Sequence, residues 1–354
     1  MAAGAPPSLH RSETGNPSDS LWDTFHVNAP PALRYEVIAG PGCAASALRL
    51  ERLEPRRFRY HASKWEKFPG EESDNIVLGG FNPVNLIRGR NILFVANFEN
   101  NDVTLQQFHA MIVLLQSFIE SLTVVLAFYP VGTMEIVTQE GTVATANTMA
   151  RLFAGLPSCG KPIRLVLYDL HTLQNRFYFA GHVIGDLCSA IPLLRAALAE
   201  GAAAPADEAG ALRIDAIAFP DAGAAKRFGK KFPEYAIITC AKVRSADNLS
   251  RVVTVAEGDA RGKNVLIVDD LVRTGGTLAE CGKALREQGA KSVSAFCSHA
   301  VFPAESWRRF LHGGDRAFFD AFLVTNSIPS VTAKLPTDDC FKVLELEPQM
   351  VLDL

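Results

Sequence analysis

The sequence predicts an α/β protein made of two doubly wound parallel-sheet domains. Three observations lead there: short β-branched runs that are apolar throughout, helical stretches of ten or more residues between them, and a length of 354 residues, ample for two domains. A strand that is apolar on both faces has to be covered on both, which is the condition of a parallel sheet with crossover helices. In such sheets ligands gather at the carboxyl ends of the strands.

Residues 1–30 are rich in Ala, Pro, Ser and Gly and have almost no apolar periodicity, so they are expected to be a flexible extension. An N-terminal α/β domain is expected over 31–195 and a C-terminal one over 196–354, with the Ala/Gly-rich Ala196–Gly210 at the boundary. The first half carries apolar runs that predict strands at Ile92–Phe98, Val124–Tyr129 and Ile163–Tyr168. Its helices are expected at Leu105–Leu122, Ala144–Leu156 and His182–Ala204, the first because Leu105, Phe108, Ile112, Leu115, Ile119 and Leu122 recur on one helical face. The second half predicts strands at Ile214–Phe219, Ile237–Ala241, Val265–Val268, Val293–Cys297, Phe322–Thr325 and Val343–Leu346, with helices at Ala224–Lys231 and Gly276–Gln288.

A net charge of -3 and a pI near 6.3 give no electrostatic footprint for nucleic acid or an anionic membrane. Seven cysteines, at 43, 159, 188, 240, 281, 297 and 340, form no C-x-x-C pair and read as reduced thiols of a cytoplasmic protein. No basic stretch followed by an apolar one opens the chain as a secretory signal would. The longest apolar stretch, Phe108–Phe128, is interrupted by His109, Gln116 and Glu120, which excludes it as a membrane span.

The segment richest in chemistry runs from Val265 to Thr277. Four apolar residues form a buried strand, Asp269 and Asp270 lie at its carboxyl end, and Thr274-Gly275-Gly276-Thr277 opens the next helix. Glycines let backbone N–H groups approach a phosphate, the helix N-terminus adds positive potential, and threonine hydroxyls donate further hydrogen bonds. The paired carboxylates suit two vicinal hydroxyls of a ribose, or a metal-bound water. Adjacent side chains cannot share a face of a regular strand, so the chain is expected to turn at Asp269–Asp270. A plain capping turn is the competing reading.

This segment resembles the phosphoribosyl-diphosphate-binding motif shared by type I phosphoribosyltransferases and the ribose-phosphate diphosphokinases. Three further segments resemble the diphosphokinases. Asp169-Leu170-His171-Thr172-Leu173-Gln174 is similar to their D-[LI]-H-x-x-Q segment, Pro220-Asp221-Ala222-Gly223 to their P-D-x-G, and Lys242-Val243-Arg244 to their K-x-R catalytic loop. Read alone, His171 would be a structural histidine, Asp221 a helix N-cap, and Lys242 and Arg244 a solvated pair. The matches run in family order from about Asn91 to Pro329. Tyr129–Glu135, Glu140–Ala146 and His299–Trp307 resemble the plant-type, class II branch.

The resemblance implies the type I phosphoribosyltransferase-like fold in both domains, a homo-oligomer, ATP and ribose 5-phosphate as substrates, and Mg²⁺ as cofactor. It places ribose 5-phosphate on Asp269, Asp270, Thr274, Gly275, Gly276 and Thr277, and the metal–triphosphate complex on His171 and Asp221. Lys242 and Arg244 would be catalytic. The R-Q-D motif of class I is replaced by Tyr129–Glu135, and the family's F-[SP]-D-G segment survives only as Phe68-Pro69-Gly70-Glu71. Phe68 is then a base-stacking candidate or a core residue. A phosphoribosyltransferase acting on a nucleobase and a non-catalytic subunit of a diphosphokinase complex are the competing functions. The first leaves Asp169–Phe179 unexplained, and intact Lys242 and Arg244 argue against the second.

Overall fold

The computed structural model describes residues 33–204, 211–244 and 251–354, with the backbone alone at 242–244 and 251–252. Residues 1–32, 205–210 and 245–250 lie outside it, and with them the predicted N-terminal extension and most of the polar stretch after Arg244.

The first sheet has six strands, all parallel. They are β1 (Tyr35–Ala39), β2 (Phe58–His61), β5 (Asn91–Ala96), β6 (Ser121–Leu126), β7 (Ile163–Tyr168) and β8 (Val183–Cys188), in the order β2-β1-β5-β6-β7-β8. A small antiparallel hairpin, β3 (Lys64–Lys67) and β4 (Asp74–Val77), interrupts the path from β2 to β5. Helices α1 (Ala44–Leu53), α2 (Asn101–Leu115) and α3 (Thr145–Ala154) provide crossovers, and α4 (Ile191–Ala203) leads into the second half.

The second sheet has seven strands in the order β11-β10-β9-β12-β13-β14-β15. These are β9 (Ala216–Phe219), β10 (Ala236–Arg244), β11 (Arg251–Glu257), β12 (Asn264–Val272), β13 (Ser292–Ala300), β14 (Phe322–Thr325) and β15 (Phe341–Leu344). All neighbours are parallel except the edge pair β10–β11. Helices α5 (Ala222–Phe228), α6 (Gly276–Glu287), α7 (Pro329–Thr332) and α8 (Glu347–Asp353) follow in this half, and short 3-10 segments at Leu173–Tyr178, Gly229–Lys231 and Pro303–Phe310 complete the described elements. In this sheet the winding reverses between β9 and β12, where β10 has gone one way and β12 the other. That reversal opens a crevice at the carboxyl ends of the two strands.

Strand alternation sorts the core into layers. Val37, Leu93, Val95, Val166 and Tyr168 of the first sheet share one apolar cluster with Ile217, Phe219, Leu266, Val268 and Phe296 of the second. The outer faces are closed separately, by α2 and α3 on the first sheet and by α6 on the second. Among the described residues no helix is long and apolar enough to cross a membrane.

Several sequence expectations need correction. The helix expected over Leu105–Leu122 ends at Leu115, and its buried face runs through Thr104, Gln107, Phe108, Met111, Leu114 and Leu115, leaving Leu105 exposed. Two alternative faces share Phe108 and Leu115, and Gln107 decides between them. Its amide is buried between the Asn97 N–H and carbonyl, and this pairing fixes the helix rotation. The helix expected at His182–Ala204 is β8 followed by α4, because Pro192 at the start of α4 sets where a helix can begin. Of the segment Ala196–Gly210, expected at the boundary, residues 196–203 belong to α4 and 205–210 lie outside the described residues. β12 does not turn at Asp269–Asp270 but pairs with β13 as far as Val272. The two acids therefore fall on opposite faces, Asp270 with Leu266 and Val268, Asp269 with Val265 and Ile267.

Candidate active site

The carboxyl ends of β7 and β12 approach each other across the inner layer, and Asp270 meets His171 there. His171 Nδ1 donates to Asp270 Oδ2 at 2.8 Å. Arg227 Nη1, from α5, donates to the same oxygen at 2.9 Å and to the His171 carbonyl at 3.1 Å. Asp270 is only 4% exposed. Burial pushes its carboxyl up, but the His171 hydrogen bond and the two neighbouring cations outweigh that and leave it below the ordinary carboxylate range. His171 shifts the other way: its hydrogen bond to Asp270 raises it above an ordinary imidazole despite partial desolvation.

Asp269 is pushed up to about 8, first by burial and then by the charges of Asp270 and Asp221. Its Oδ1 accepts the Asp270 N–H at 2.9 Å. Asp221 caps α5, accepting the Ala224 N–H at 2.9 Å, so the helix-cap reading of this residue is realised. Asp269, raised beside the charges of Asp270 and Asp221, belongs to a set of hard oxygen donors whose crowding a divalent cation would relieve. Among the described residues no three His, Cys, Asp or Glu side chains converge closely enough to hold a metal by themselves.

The turn between β12 and α6 has the form expected of a phosphate cradle. Gly275 sits at φ +72° as the residue before the helix, and a Cβ there would come within 2.3 Å of Phe310. The Arg316 guanidinium donates to the Thr274 carbonyl and buttresses the loop from outside. Lys242 and Arg244 are paired in the backbone ladder with Val253 and Arg251 at the end of β10, and their side chains lie outside the described set. Phe68 is at the tip of the β3–β4 hairpin and 45% exposed, which excludes the core reading. The hairpin is held against α2 by Lys67 to Asp102 and Gln106 to Asp74.

A cavity of about 320 Å³ lies where the two halves meet, lined by Asn97, Glu99, Tyr129, Met134, His171 and Arg273 among others. Two buried links hold its floor. His299 Nε2 donates to the Tyr168 carbonyl at 2.9 Å and Ser327 Oγ lies 2.9 Å from Nδ1, with burial keeping the ring below its ordinary pKa and so neutral. Asp169, at φ +36°, accepts from Ser189 Oγ, the Ala190 N–H and Ser298 Oγ. The aspartate of the D-L-H segment thus fastens the halves together and presents His171.

Of the residues singled out from the sequence, the structure joins His171 and Asp270 in one hydrogen-bonded group, with Asp221 acting on Asp269 through charge. Among the described residues His171 lines the cavity, whereas Phe68, Asp221, Asp269, Asp270, Thr274, Gly275, Gly276 and Thr277 are not part of its lining. Arg227 was missed. It stands six residues after Asp221, but its partner Asp270 is 43 residues away, and no local pattern announces that pairing.

The family model for the phosphoribosyl transferase domain matches residues 220–308. Ribose-phosphate pyrophosphokinase 4 of Oryza sativa subsp. japonica is 42% identical over 264 residues, 73% of this chain and 78% of that protein. Ribose-phosphate pyrophosphokinase 3, chloroplastic, of Arabidopsis thaliana is 36% identical over 339 residues, 95% of this chain and 76% of its own. Among solved structures, the phosphoribosylpyrophosphate synthetase from Mycobacterium smegmatis superposes with a TM-score of 0.69 at 23% identity. That match covers 91% of this chain and 97% of the other, and it shows the shared fold.

Proposed function

The chain belongs to the ribose-phosphate pyrophosphokinase family, and on that premise we propose that it moves the diphosphate of ATP onto the 1-hydroxyl of ribose 5-phosphate. The products are 5-phosphoribosyl 1-diphosphate and AMP. The observation that carries this reading is the meeting of His171 and Asp270. A segment similar to the triphosphate-binding part of the family, from one half, is hydrogen-bonded to the sugar-phosphate motif of the other. A phosphoribosyltransferase acting on a base needs only the second of these.

In the proposed mechanism the ribose 1-oxygen attacks the β-phosphorus, and the bond between that phosphorus and the oxygen leading to AMP breaks. Positioning and charge stabilisation supply most of the acceleration in such transfers. Thr274, Gly275, Gly276 and Thr277 cradle the 5-phosphate at the start of α6, and Asp269 and Asp270 orient the sugar. Arg227 holds Asp270 in place. Lys242 and Arg244 neutralise the charge that grows on the transferred group. His171, its Nδ1 committed to Asp270, offers Nε2 to the metal–triphosphate complex, and Phe68 is the proposed stacking partner for a base. Asp221 is the proposed ligand of Mg²⁺, which polarises the phosphoryl oxygens when bound. A homo-oligomer is proposed with this activity. A cytoplasmic location is proposed too, on the scattered free thiols; relatives named chloroplastic and mitochondrial make organellar forms the alternative.

The test is an assay on the purified chain alone. ATP, ribose 5-phosphate and Mg²⁺ are expected to yield AMP and 5-phosphoribosyl 1-diphosphate in equal amounts, and excess chelator is expected to stop the reaction. Failure to form AMP would leave the non-catalytic subunit as the better reading.

A further inference from the structure

We propose that Cys240 and Cys281 are a thiol–disulfide modification site that ties the strand carrying Lys242 and Arg244 to the helix of the phosphate loop. Cys240 lies on β10 two residues before Lys242, and Cys281 lies on α6 four residues after Thr277. The Cys281 thiol donates to Cys240 Sγ at 3.0 Å, and both residues are 0% exposed within the apolar layer between the sheet and α6. A disulfide needs a sulfur–sulfur distance of about 2.05 Å, so the two have only on the order of 1 Å left to close. The β-bulge between Thr239 and Cys240 breaks the ladder beside that position, and β11 is the edge strand of the sheet, so the pair sits where pairing is least continuous.

The chemistry is specified by the pair. The hydrogen bond from Cys281 holds the Cys240 thiol below the ordinary cysteine range in spite of burial, whereas Cys281 is raised. Cys240 is therefore the attacking sulfur. With a peroxide as oxidant, the Cys240 thiolate attacks one oxygen and the O–O bond breaks. Sulfenic acid forms, and the departing hydroxide takes up the Cys240 proton as water. The Cys281 sulfur then attacks the sulfenic sulfur, the S–S bond forms, the S–O bond breaks, and the leaving hydroxide takes the Cys281 proton as a second water. Two thiols are oxidised by two electrons and one peroxide is reduced. A small uncharged oxidant suits a buried pair.

The consequence for turnover rests on the diphosphokinase reading, while the linkage itself does not. Where reacting groups are held tightly, a displacement of about 1 Å lowers a rate by roughly a hundredfold. Oxidation, by drawing β10 toward α6, is expected to lower kcat by about tenfold or more, and a dithiol reductant is expected to restore it.

The full-length chain is treated with graded hydrogen peroxide, its remaining thiols are alkylated, and its peptides are mapped under non-reducing conditions. Activity is read from the same samples, with Cys43, Cys159, Cys188, Cys297 and Cys340 as internal comparators. A Cys240–Cys281 linked peptide is expected to rise as activity falls, and both changes are expected to reverse with dithiothreitol. Cys281→Ala and, independently, Cys240→Ser are expected to abolish the linked peptide and the reversible loss. Oxidation of the comparators with no linked peptide would overturn the proposal, as would equal reversible inactivation of Cys281→Ala. If the reduced chain shows no diphosphokinase activity while the linked peptide still forms, the functional reading fails and the modification site stands.

Discussion

Asp270 accepts hydrogen bonds from two basic side chains on one oxygen, and the contact with His171 raises the pKa of that ring. Because the folded His171 pKa is raised, the ion pair contributes fully below the unfolded value of about 6.5 and is lost as pH rises through the folded one. The His171 ring resonances are therefore expected to titrate with a midpoint above that of an unperturbed histidine, and Asp270→Asn is expected to bring the midpoint down. An unchanged midpoint in the variant would show that the 2.8 Å contact does not persist in solution. Lys242 makes a second prediction at this scale. Loss of one charge-stabilising donor typically costs on the order of 10²–10³ in rate, so Lys242→Ala is expected to lower kcat by that factor. The KM for ribose 5-phosphate should change little, which separates a transition-state role from a binding one. Both parameters come from initial rates across a sugar titration.

The turn from β12 into α6 is where an element and its chemistry coincide. Gly275 is required there twice: its φ of +72° is disfavoured for an L side chain, and Phe310 occupies the space a Cβ would need. Either the loop shifts or the ring does. Gly275→Ala is expected to raise the KM for ribose 5-phosphate by about tenfold or more, since the left-handed conformation alone costs roughly 1–2 kcal/mol. The KM for ATP should move much less, because the triphosphate is assigned to other elements. Steady-state kinetics with each substrate varied in turn checks this, and parallel changes in both constants would point to general collapse of the site. The strand before the turn behaves differently from expectation for an instructive reason. β13 offers partners as far as Ala300, so β12 remains paired through the acids and separates them onto two faces.

At the scale of the whole molecule, the last helix returns to the first sheet and fastens the halves together. Glu347 is fully buried and accepts from Ser46 Oγ of α1 and from Asn326 Nδ2 after β14. Arg57 donates to the Val351 carbonyl, Arg164 to the Asp353 carbonyl, and Tyr168 to the Asp353 carboxylate. Glu347→Ala strands the buried Ser46 hydroxyl and the half-buried Asn326 amide and is expected to destabilise the protein by about 2–4 kcal/mol. Urea unfolding of the two proteins measures it. A change below about 0.5 kcal/mol, the range of ordinary surface substitutions, would mean that this link is dispensable.

Continuous apolar runs with helical stretches between them, and the spacing of acids and glycines, determined the α/β class, the parallel sheets and the Gly-rich turn into α6, because each is encoded within a dozen neighbouring residues. The hairpin bearing Phe68 carries no such local mark, since its half-exposed strands lack the continuous apolar run that identified the others. The rotation of α2 depended on Gln107, a polar residue whose burial is settled only by the Asn97 backbone it meets. The pairing of Asp270 with His171 across 99 positions and with Arg227 across 43 was decided by the tertiary structure alone. So was the contact of Cys240 with Cys281. A side chain's type is written locally, but its charge, its partner and the face it occupies are set by whatever the fold brings opposite it.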